Sequence, residues 1–123
     1  VIKLFQRRWI LLEHRVSRNQ IDDMHFDFLL EDKIDCRTWR LEAIPKLEGP
    51  SIFVKDSSPH KLKWLDVEQS YISGGRGWVK RVEGGIFLGD LPRDPQERIL
   101  IELRSQTIFG NFELVKNTCR LYL

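Results

Sequence analysis

Cysteine is scarce in this chain, and the little there is lies far apart. Cys36 and Cys119 are its only two, and neither belongs to a CxxC pair. That argues against a thiolate zinc site and against a dense disulfide framework. Two reduced thiols in a cytosolic protein is the simplest reading, with a single disulfide as the alternative. Long apolar runs are missing too. None approaches the ~18 residues of a membrane span, and no signal-peptide pattern opens the chain. The first residue is Val1 rather than Met, which is compatible with a processed form or an excerpt. A GxSxG nucleophile pattern is absent. Ser73-Gly74-Gly75-Arg76-Gly77 is rich in glycine, but it lacks the lysine and the following helix of a P-loop. Charge of one sign is also in short supply. Twenty basic residues face eighteen acidic ones, for a net charge of +2. There is no global nucleic-acid signature, so any basic surface must be local.

What is present fits one soluble domain over residues 1–123. Hydrophobic residues make up 41% and charged residues 31%, and four tryptophans and seven phenylalanines supply a core. The pattern is mostly β. Residues 8–13 form a short apolar run, and 15–23 read as a polar loop. Residues 24–31, Met-His-Phe-Asp-Phe-Leu-Leu-Glu, alternate like a strand with one apolar and one wet face. Residues 38–43 alternate as well. Residues 45–59 carry three prolines and read as a long loop with an extended 52–54 inside it. Residues 60–68 are strand or irregular. The 73–77 segment is a tight turn, and Gly84-Gly85 signals a hairpin between strands at 78–83 and 86–88. Residues 99–103, 109–115 and 118–123 complete the set. The expected architecture is a closed or nearly closed β-barrel of about eight strands with little helix.

The residues able to carry chemistry are few. His25 and Asp27 are two apart on one strand, about 7 Å between Cα atoms at ~3.3 Å per residue. His14 lies on another expected strand. Two imidazoles and a carboxylate can hold a divalent ion and leave positions open for water and substrate. That donor set suits manganese, iron, zinc or cobalt. His60, following Ser57-Ser58-Pro59, is expected on a loop, where it could bind or protonate a phosphate oxygen. Arg76 in the glycine turn is placed to clamp a phosphate, though a plain tight turn is the competing reading. Trp9, Trp39, Trp64 and Trp78 all fall on expected strands. Core packing is the default for them, and an exposed one could stack on a base.

Several pieces occur in one order: His14, then His25-Phe26-Asp27-Phe28 and Glu31, then Thr38-Trp39-Arg40-Leu41, then His60-Lys61-Leu62-Lys63-Trp64-Leu65-Asp66-Val67-Glu68, then Ser73-Gly74-Gly75-Arg76-Gly77. In this the chain resembles the 3′-phosphoesterase domain of bacterial DNA ligase D, and its small stand-alone relatives above all. Residues 99–103 and 109–116 look like that family's closing strands, so the resemblance covers roughly residues 8–116. It implies a compact barrel whose polar cavity holds manganese, with zinc or cobalt as alternatives. His14, His25 and Asp27 would be the metal ligands and His60 the residue at the scissile phosphate. The implied activity is a metal-dependent hydrolase trimming 3′ ends of DNA or primer-template, in the cytoplasm or nucleoid, alongside a ligase or polymerase. Two positions depart from the family's pattern. Leu29 stands where a phosphate-binding arginine is usual, and Trp64 where a tyrosine is. Arg76 or Arg81 would then have to reach the phosphate, with Trp64 as a substrate contact. The alternative is a weakened or inactive module of the same fold that binds nucleic-acid ends or a protein.

Overall fold

Alternating apolar residues become strands here because each strand has a core to face. The computed structural model describes residues 6–18 and 21–123. Among these residues nine strands form: β1 (Arg7–Arg18), β2 (Ile21–Glu31), β3 (Cys36–Leu41), β4 (Ile52–His60), β5 (Gln69–Tyr71), β6 (Trp78–Leu88), β7 (Ile99–Arg104), β8 (Gly110–Val115) and β9 (Thr118–Tyr122). A short 3₁₀ helix, Leu62–Asp66, lies between β4 and β5. The sheet runs β1-β2-β3-β4-β9-β8-β7-β6-β5, and β1 also pairs with β6. Eight strands therefore make a ring that is nearly closed, with β5 attached to β6 outside it. The mainly β, barrel-like architecture expected from the sequence is thus what the chain adopts. No helix among the described residues is long and apolar enough to cross a membrane.

The inside of the ring is filled with apolar side chains. Trp9 and Leu11 from β1, Phe26, Phe28 and Leu30 from β2, and Trp39 and Leu41 from β3 meet residues of β4 and β6–β9 there. Phe28 is the hub, with its ring 4.7 Å from Phe112, 5.9 Å from Trp9 and 6.3 Å from Trp39, centroid to centroid. These separations lie in the range where aromatic pairs attract beyond area burial. The interior is therefore no polar cavity, contrary to the resemblance-based expectation. A second, smaller apolar cluster covers the outer face of the same wall. It joins Ile10, Leu12, Leu29, Cys36 and Leu65, and the short helix lays Leu62 and Trp64 against it.

Several expected boundaries move. The polar stretch 15–23, read as a loop, is mostly the arm of a hairpin. β1 and β2 pair from Trp9↔Leu30 out to Arg18↔Ile21, while residues 19–20 lie outside the described set. Backbone pairing sustains those strands where apolar alternation has run out. The long loop expected over 45–59 is corrected likewise, since its second half is β4 and His60 ends that strand. Pro59 is tolerated because the β3–β4 register shifts between Cys36 and Thr38, a bulge where no ladder donor is needed. Trp64 is on the 3₁₀ helix, not a strand. Gly84-Gly85 does not turn the chain. β6 runs straight through it, paired with Ile10 and Trp9 of β1. A Cβ at Gly85 would collide with the carbonyl oxygen of Arg104, so these glycines permit a close approach of backbones.

Candidate metal centre and its flanking cavities

The β1–β2 register places His14 directly opposite His25, and Leu12 opposite Asp27. All four side chains share the outer face of the wall, since Phe26 and Phe28 point inward. The two imidazole rings meet edge to face, 4.7 Å between centroids. Nδ1 of His14 lies 3.4 Å from Oδ2 of Asp27, and Nε2 of His25 lies 3.1 Å from Oδ1. One ligand atom from each of His14, His25 and Asp27 falls within 4.8 Å of the others. The face expected to be wet is not. His25 and Asp27 are buried, and Leu29 beside them is sealed beneath the short helix.

Hydrogen bonding sets the direction of one ring. Nε2 of His14 is 2.8 Å from the backbone carbonyl oxygen of Arg76. A carbonyl only accepts, so Nε2 carries the proton, and in the neutral ring Nδ1 presents a lone pair to Asp27. A lone pair facing a carboxylate is repelled unless a proton or a metal ion lies between them. Nε2 of His25 is buried without a hydrogen-bonding partner, although it is close to Asp27. An orphaned buried nitrogen is costly, and metal ligation would satisfy it. The donor set therefore fits a divalent ion. An imidazole anchored through its far nitrogen is the usual way a metal-binding histidine is oriented.

The 73–77 turn supplies that anchor. It is the tight turn expected from its glycines, joining β5 to β6, and Ile72 N–H donates to the Gly77 carbonyl at 2.8 Å. Gly77 has φ +99°, and a side chain there would strike the Arg15 backbone. Only glycine brings the turn close enough for the Arg76 carbonyl to meet His14. The Arg76 guanidinium folds back within the turn, donating from Nε to the Ser73 carbonyl at 2.8 Å and from Nη2 to Ser73 Oγ at 3.2 Å.

A cavity of about 740 Å³ opens beside His14 and is lined also by His60, Lys61, Lys63, Trp64 and Arg76. Among the described residues, no acidic side chain lines it. His60 donates from Nδ1 to the Ser58 carbonyl at 3.0 Å, which leaves Nε2 as its free nitrogen. Its ring sits edge-on to Trp64 at 6.5 Å, and the Lys63 ammonium lies 5.6 Å from the Trp64 ring. Compared with protein-family models and with curated proteins, the chain matches none.

Four sequence-chosen residues, His14, His60, Trp64 and Arg76, thus line one cavity, with His25 and Asp27 behind His14. Arg81 is not among the lining residues. Its Nη1 points to the Leu65 carbonyl at 3.4 Å, and its Nε is 3.9 Å from Glu68. Cys36 is buried on this outer face, and burial first, then the charges of Glu31 and Asp35, push its thiol up to about 11. It is therefore a packed thiol rather than a nucleophile. Lys61 and Lys63 were missed. Their alternation around Leu62 was the available signal, and the short helix turns both toward the cavity.

Proposed function

We propose that the chain is a metal-dependent phosphoesterase-like protein acting on 3′ ends of DNA or primer-template, within DNA end repair. The observation that carries this reading is the His14–His25–Asp27 group, with His25 and Asp27 buried and an orphaned nitrogen on His25, at the edge of a cationic cavity with no acid among its described lining residues. His14, His25 and Asp27 would hold the ion, manganese first and zinc or cobalt otherwise. When bound, the ion supplies Lewis-acid charge at a phosphate oxygen. Lys61, Lys63 and Arg76 attract and orient the phosphate, and Trp64 offers a flat face to sugar or base. Hydrolysis adds water at phosphorus and breaks the bond to the 3′ oxygen. His60, protonated at Nε2, gives its proton to that leaving oxygen. A ligase or polymerase partner and a cytoplasmic or nucleoid setting belong to this reading.

The test is release of phosphate from a 3′-phosphate DNA end with added manganese, alongside a manganese thermal-shift measurement. Turnover and a stabilising shift are expected for wild type, and both should vanish in His25→Ala. Equal activity in the two proteins sinks the reading. One observation favours a second reading. Leu29 is wholly buried, so no cation enters the site from that position. A module that binds ends without cutting them would show salt-sensitive end binding and no turnover.

A further inference from the structure

His14 opens on the cavity just described, but His25 opens on another. This second cavity, of about 610 Å³, shares no lining residue with the first and is lined by Met24, His25, Arg40, Glu42, Phe53 and Lys55, among others. Arg40 is the cross-strand partner of Asp27 on one side and of Lys55 on the other. Two like charges directly opposite on neighbouring strands oppose folding. Both side chains are exposed, and neither has a hydrogen bond or an ion pair with the side chains of the described residues. Asp27 turns to the histidines instead of to Arg40. Glu42, the one acid among the described lining residues, pairs with neither cation. Beside them Phe53 is 63% exposed, on a strand whose neighbours Ile52 and Val54 are buried.

A fold that keeps two uncompensated cations face to face, with a bare aromatic ring next to them, has the makings of a nucleic-acid subsite. Adjacent strands are about 4.8 Å apart, so Arg40 and Lys55 lie about 5 and 10 Å from Asp27 across the sheet. We propose that Arg40, Lys55 and Phe53 form a second subsite, which holds the single-stranded nucleotides on the 5′ side of the end presented to the triad. Arg40 and Lys55 take successive phosphates and Phe53 stacks on a base. The strand crosses the wall over the triad from one cavity to the other. This inference rests on the nucleic-acid reading above, and it adds a path and a length dependence.

The experiment measures fluorescence anisotropy of 3′-phosphorylated single-stranded DNA, a dodecamer against a dinucleotide, in a chelator so that no turnover intervenes. Wild type should bind the dodecamer at least about tenfold more tightly. Arg40→Ala with Lys55→Ala should remove most of that advantage and lower the salt slope by about 1.4, at about 0.7 per lost phosphate contact. Phe53→Ala should weaken the dodecamer by about fivefold or more. A control, Lys33→Ala with Arg93→Ala, removes the same charge from exposed positions on neither cavity and should leave the slope unchanged. Equal binding of the two lengths, or an unchanged slope in the Arg40/Lys55 variant, overturns the subsite. Length dependence without any manganese-dependent turnover upholds the subsite and sinks the phosphoesterase reading. Turnover without length dependence does the reverse.

Discussion

The two faces of β2 do different work although their residues are interleaved. Phe26, Phe28 and Leu30 build the filled interior, while His25, Asp27 and Leu29 build an outer layer that is half apolar cluster and half polar group. The interior needs only the ring of strands around it. The outer layer is buried only because the short helix and the 73–77 turn lie over it. Polar groups are thus kept out of the barrel and sheltered on its wall, under residues that are not part of the core.

The most severe way to break this division is from inside. Phe28→Ala should cost about 3–5 kcal/mol in urea unfolding, since its ring touches three other aromatics. A loss below about 1 kcal/mol would mean the interior is not one packed unit. Next comes Leu29→Arg, which introduces the arginine expected from the resemblance. Leu29 is fully buried, so an unpaired charge there should cost about 3 kcal/mol rather than improve phosphate binding. A stable variant with tighter phosphate binding would show that the outer cover opens easily.

The thiols give a milder comparison, one on each face. Burial pushes Cys119 in the interior up to about 12, and burial with nearby carboxylates pushes Cys36 up to about 11, both from 9.0. A raised thiol value means that the folded chain holds the proton longer than the unfolded one. Stability from this source is complete below pH 9 and falls as pH rises toward 11–12. Native alkylation at pH 8 should be slow at both and slower at Cys119, read by mass spectrometry. The smallest effect is expected on the far wall. Hydrogen bonding from Arg98, and then from Arg120, holds the Glu113 carboxyl below its usual range. Its contribution is present above 4.5 and lost as pH falls. Glu113→Gln should therefore cost at most about 1 kcal/mol near neutral pH, and less with added salt.

Much of the fold is legible where side chains alternate, as in β2, β3, β7 and β8. It is not legible where backbone pairing alone decides. Residues 15–18 look like loop because Val16 is the only apolar residue among them, yet they extend β1 past the core. Gly84-Gly85 carries the composition of a turn, but its reason is crowding between β6 and Arg104, and that is set by strands distant in sequence. The triad was readable as residue types. The direct opposition of His14 and His25 depends on a hairpin whose register begins in that polar arm. The expected wet face failed because the cover comes from residues 62–66 and 73–77, forty positions or so further along.

The bond from His14 to the carbonyl of residue 76 has a consequence for any mutational survey. The oxygen belongs to the main chain, so every amino acid at position 76 provides it. Arg76→Ala would delete a cation from the cavity and leave the ring orientation untouched. Side-chain scanning would score position 76 only for its guanidinium and be blind to its other role. Gly77 is where that role becomes visible, because a residue that cannot take its φ of +99° moves the oxygen away. An apparently inert glycine, with no functional group of its own, is the address at which the tautomer of His14 is written.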